Sequence, residues 1–149
     1  MTVRRLHVSL DFGNGEEVPV ARLGWDGAAR QAVAEWDPGF AAAPLPVSPL
    51  LIRQPVGLLR AKARAFGDLP GLFGDSLPDG WGRLLIDREL AARGRAVIDI
   101  TDLDRLAMVG RDGMGALTYR PEDGGGTASV DGGGADKGVV ATVAGGNAP

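Results

Sequence analysis

Cysteine is missing from the 149-residue chain, which excludes disulfides, thiolate nucleophiles and thiolate-bound metal. Histidine occurs once, as His7, so a histidine metal cluster is impossible and no hydroxyl has a recognisable triad partner. Aromatic residues make up only 5% of the chain. No apolar run approaches the roughly 20 residues of a membrane span. The opening MTVRRLHVSLDF has basic residues but no uninterrupted apolar core or small-residue cleavage site. It therefore predicts no signal peptide, and a cytoplasmic location is the expectation. A basic surplus is also absent. The net charge of −3 argues against gripping a phosphate backbone as the main task.

Glycine is abundant, with 24 residues against roughly 7% in average usage. Apolar residues at 44% and charged residues at 23% are those of a globular protein, and the length suits one domain with a modest core.

The first third reads as strands. Val3 to Leu10 alternates loosely, Gly13-Asn14-Gly15 supplies a turn, and Val18 to Trp25 returns. After Asp26-Gly27, Arg30 to Trp36 reads as a third strand of an antiparallel meander. From Asp37 to Gly57 five prolines predict irregular structure over the sheet, with Leu50-Leu51-Ile52 as a short strand within it.

Helical spacing follows. Leu77, Trp81, Leu84, Leu85 and Arg88 share one face of a helix that runs to about Ala92, with Pro78 and Asp79 at its start and Gly94 as its stop. Gly80 and Gly82 within it imply close backbone packing or a later helix start. Thr101 and Asp104 form a capping-box start for a second helix with Leu103, Leu106 and Ala107 as its stripe, ended by Gly110. Asp112-Gly113 turns the chain, and Ala116 to Tyr119 reads as a closing strand. Residues 122–149 hold nine glycines and no aromatic residue, Leu or Ile. Such a segment buries too little apolar surface to offset ordering, so a flexible tail is expected, with Val139 to Val143 as a weak edge-strand candidate. The fold class is thus α+β: a β meander, a small helical part, a closing strand and a disordered Gly-rich tail.

Several motifs invite chemical readings and lose them in context. Asp11-Phe12-Gly13 matches the magnesium-holding triplet of protein kinases, but it stands at a strand end with no catalytic loop before it. Gly110 to Gly115 has the spacing of a reversed dinucleotide fingerprint and follows a helix, so it reads as a cap and a turn. Lys137 lacks the context of a nucleotide-binding loop. The pairs Asp75/Asp79 and Asp102/Asp104 sit at helix starts, where capping accounts for them. His7 reads as a structural strand residue. Trp81 reads first as a core anchor, because it shares a stripe with Leu84 and Leu85, with an interface anchor as the alternative.

Two stretches carry a resemblance. Phe73-Gly74-Asp75-Ser76-Leu77-Pro78-Asp79-Gly80-Trp81-Gly82-Arg83, within Leu69 to Arg88, resembles the F-x-D-S-L-P-D-G-W-G-R block of HipA-like proteins. Asp104 to Leu117, with Gly110-Arg111-Asp112 and Gly115-Ala116-Leu117, is similar to that family's I-G-x-D-x-x-G-A-L block. The resemblance covers about residues 3–121 and is specific, since two linked blocks share it.

It implies the N-terminal subdomain of a serine/threonine kinase that acts as the toxin of a bacterial type II toxin–antitoxin system. Such a subdomain packs on the kinase core and contributes to contact with a DNA-binding HipB-like antitoxin. In tripartite relatives an equivalent of it is a separate protein that restrains the kinase.

The family's catalytic residues lie further along than this sequence extends. The expectation is therefore a non-catalytic domain over residues 1–121, with no cofactor, metal or direct nucleic-acid contact, followed by the tail over residues 122–149. Leu77, Trp81 and Arg83 are its candidate protein-interface residues. The alternative expectation is a truncated or frameshifted kinase remnant with no independent activity.

Overall fold

The computed structural model describes residues 3–48, 52, 54–61 and 67–122. The expected tail and its Val139 to Val143 strand lie outside the described residues, as do Leu50 and Leu51; Ile52 is described and is not in a strand.

Five strands form one antiparallel sheet: β1 (Arg5–Asp11), β2 (Glu17–Asp26), β3 (Gln31–Trp36), β4 (Leu58–Arg60) and β5 (Leu117–Pro121), in the order β4-β3-β2-β1-β5. The meander expected from the turn residues is present. The side-chain period of two sends Leu6, Val8 and Leu10 of β1 to one face, with Leu23 of β2 and Ala32, Ala34 and Trp36 of β3. The β1–β2 register shifts between Val8 and Ser9, so buried Val20 has no β1 partner, and its carbonyl accepts the Asp37 N–H at 2.9 Å. The Val8–Tyr119 pairing seats the closing strand beside β1 and brings Tyr119 into the core.

Four helices accompany the sheet: α1 (Pro38–Ala42), α2 (Gly71–Gly74), α3 (Gly80–Ala92) and α4 (Asp102–Val109), with a 3-10 turn at Val97–Asp99. Phe73 of α2, Leu103 and Leu106 of α4, and Leu69 complete the core with the sheet's inner face. Burial of each such side chain contributes about 1.5–3 kcal/mol.

The proline-rich stretch is not wholly irregular as expected. Asp37 caps α1 by accepting from Gly39 and Phe40, Pro38 stands where its missing N–H costs nothing, and Phe40 stacks on Trp36 at 5.9 Å. β4 and α2 also arise where no periodicity announces them. Among the described residues no helix is long and apolar enough to cross a membrane.

Candidate functional site

α3 and the turns around it hold the residues that the sequence singles out. Asp79 is the N-cap, its carboxylate accepting from Gly82 N–H at 2.9 Å, so the helix starts at Gly80, later than the Leu77 stripe suggests. Gly82 also meets the close-packing expectation, since a Cβ there would lie 2.6 Å from Cβ of Pro78. The helix ends at Ala92, and Gly94 follows with φ of +84°.

The core reading of the stripe is corrected. Trp81 is 66% exposed, Leu84 41% and Leu85 48%, so three large apolar side chains at i, i+3 and i+4 face solvent. The side of the helix that faces the body carries Leu90, its one buried residue, together with the ion-paired Arg83 and Asp87. Asp87 receives Nε and Nη2 of Arg105 at 2.8 and 3.0 Å, and Arg105 Nη1 reaches Asp102 at 2.8 Å. Periodicity locates a stripe but does not say which way it faces.

The three candidate interface residues stand in different settings. Leu77 lies before the helix, partly buried against the core. Trp81 projects from the first turn of α3. Arg83 turns to Asp102, its Nη2 at 3.2 Å from Oδ1, with the side chain about half exposed. Leu84 and Leu85 belong to the exposed patch and were not among the candidates; their place beside Trp81 in the stripe is the signal that could have named them. Arg105 carries no such signal, because its partner Asp87 is 18 residues away.

Behind α3, α4 begins with the expected capping box. Thr101 Oγ1 accepts from Asp104 N–H, and Asp104 Oδ2 accepts Thr101 N–H at 2.8 Å. Asp104 is 2% exposed and also receives Val3 N–H on Oδ1 and Arg95 Nη2 on Oδ2. One carboxylate thus ties the start of the chain, the turn after α3 and α4 together. Burial works against the charge of Arg105, but Asp87 and Asp102 outweigh it and hold the guanidinium more firmly protonated than usual.

An open cleft of about 550 Å³ runs past Trp25, Arg30, Arg95, Ile98, Asp102 and Arg105. Its Arg95 and Arg105 are engaged by Asp104, Asp102 and Asp87, which blunts it as an anion site. Asp11 of the kinase-like triplet accepts Gly13 N–H and Arg111 Nη2, each at 2.8 Å. These two bonds, the Gly13 one foremost, hold its carboxyl below the usual range, and the triplet is a strand end and a turn, as its context indicates. Gly110, with φ of +54°, ends α4 and leads into the turn before β5. His7 lies on β1 with Nε2 3.4 Å from Glu122 Oε1. Among the described residues no group of three or more His, Asp or Glu side chains is placed to hold a metal ion.

The sequence that builds this five-stranded sheet, its short helices and the helix with an exposed apolar face has a family. The HipA N-terminal domain model matches residues 15–120, and the chain belongs to that family. No curated protein matches the chain, and no solved structure matches it.

Proposed function

We propose that this domain is a non-catalytic docking or regulatory module of a HipA-like toxin kinase in a cytoplasmic bacterial type II toxin–antitoxin system. Its partner is a HipA-like kinase core or a HipB-like antitoxin, and the apolar face of α3 is where the partner sits. The observation that carries this reading is the exposure of Trp81 with Leu84 and Leu85 on one helical face. Monomeric domains rarely leave large apolar residues grouped in this way without a binding role. Tryptophan is also enriched among residues that dominate interface energies. Family membership supports this partner class. Phosphotransfer is assigned to the kinase core, since the family matched is that of the N-terminal domain.

The test is co-elution. The full chain, mixed with a HipA-like kinase core lacking its own N-terminal domain or with a HipB-like antitoxin, is expected to move to an earlier size-exclusion peak with at least one of them. Independent elution from both at concentrations of about 10 μM, where complexes of ordinary affinity form, contradicts the proposal.

A further inference from the structure

α3 has only a thin hydrophobic root. None of its residues belongs to the core cluster, and of its 13 residues only Leu90 is buried. Three of its large apolar side chains, Trp81, Leu84 and Leu85, point the other way. Left to the hydrophobic effect, such a helix gains by rolling those side chains against the body. What opposes the roll is polar. Arg105 of α4 makes a two-pronged contact to Asp87 of α3 at 2.8 and 3.0 Å and grips Asp102 on its own helix at 2.8 Å. Arg83 of α3 reaches the same Asp102 oxygen at 3.2 Å.

These groups are largely shielded, with side-chain exposures of 14% for Arg105, 19% for Asp87 and 7% for Asp102. A planar guanidinium meeting a carboxylate through two parallel bonds fixes angle as well as distance, which one point charge does not. Rolling α3 would strip Asp87 from Arg105 and leave a shielded charge short of its partner, the costly outcome for such pairs.

We propose that Arg105 is the positioning residue of the docking helix: its fork on Asp87 holds α3 in the pose that presents Trp81, Leu84 and Leu85 outward. That α3 docks rests on the proposed function; that Arg105 sets its pose does not, and it is read on the chain alone. The experiment is amide hydrogen exchange on the full chain, comparing wild type, Asp87→Asn, Arg105→Lys and Leu90→Ala.

Asp87→Asn is expected to speed exchange in the second half of α3 by about tenfold, while α4 and the β1–β2 ladder exchange as in wild type. Iodide quenching of tryptophan fluorescence should fall with it, as Trp81 turns inward. Arg105→Lys keeps the charge and loses the fork, and should give the same selective loosening in smaller degree. Unchanged α3 exchange in Asp87→Asn overturns the proposal. So does an equal loss of protection in α3, α4 and the sheet, which would mark a purely structural ion pair. A larger effect from Leu90→Ala than from Asp87→Asn overturns it as well, since apolar packing would then hold the helix. Failure to bind a kinase core would count against the proposed function and leave these outcomes as they are.

Discussion

Tyr119 shows how much one side chain can report. It is the chain's only tyrosine. Its ring is buried in the core, and its hydroxyl donates to Ser76 Oγ at 2.7 Å. Burial is the main reason its phenol is pushed up to about 12, with Asp75 adding to the shift and the Ser76 bond opposing it. An unfolded tyrosine ionises near pH 10. The stability held in the neutral buried phenol is therefore whole below about pH 10 and is lost as pH rises toward 12, by about 2–3 kcal/mol in all. Because no other tyrosine contributes, tyrosinate absorbance of the folded chain should titrate near 12, and Tyr119→Phe should flatten the alkaline stability loss. Titration near 10 in a chain still folded by circular dichroism would contradict the burial argument. Ser76, within the family-like block, thus serves the interior through this bond.

Among the elements, α3 and α4 make an instructive pair. Each carries an apolar stripe, yet α4 turns Leu103 and Leu106 into the core while α3 buries only Leu90 and turns the Trp81, Leu84 and Leu85 stripe to solvent. Leu106→Ala should cost about 2–5 kcal/mol of stability, as large-to-small changes in a core do. Leu84→Ala should cost well under 1 kcal/mol, as exposed substitutions do. Chemical denaturation of the two variants measures both, and equal losses would return α3 to the core.

What could be read from the sequence follows the same division. Local chemistry was legible: the Thr101–Asp104 box, the Asp79 start, and the Gly94 and Gly110 stops are set by neighbours three or four residues apart. The direction of α3 was not, because the contacts on its inner side include Asp87 with Arg105, a pair 18 residues apart. α1 was announced by Asp37-Pro38, but the density of prolines around it masked that signal. β4 has three residues and exists through its register with β3, from Val33–Arg60 to Glu35–Leu58, so no local pattern could reveal it.

At the scale of the molecule, the sheet, α2 and α4 share one core, and α3 stands on that body with its apolar face open. On the proposed function, that open face is the one a partner covers. On that function, Trp81 serves binding and not folding. Calorimetric titration of a HipA-like kinase core with wild-type chain and with Trp81→Ala, paired with the thermal midpoint of each, tests it most directly. Trp81→Ala is expected to melt within a degree or two of wild type and to bind at least about thirtyfold more weakly, the loss of an interface anchor worth about 2 kcal/mol. Equal affinity for the two chains, or a Trp81→Ala variant that no longer folds, would contradict it.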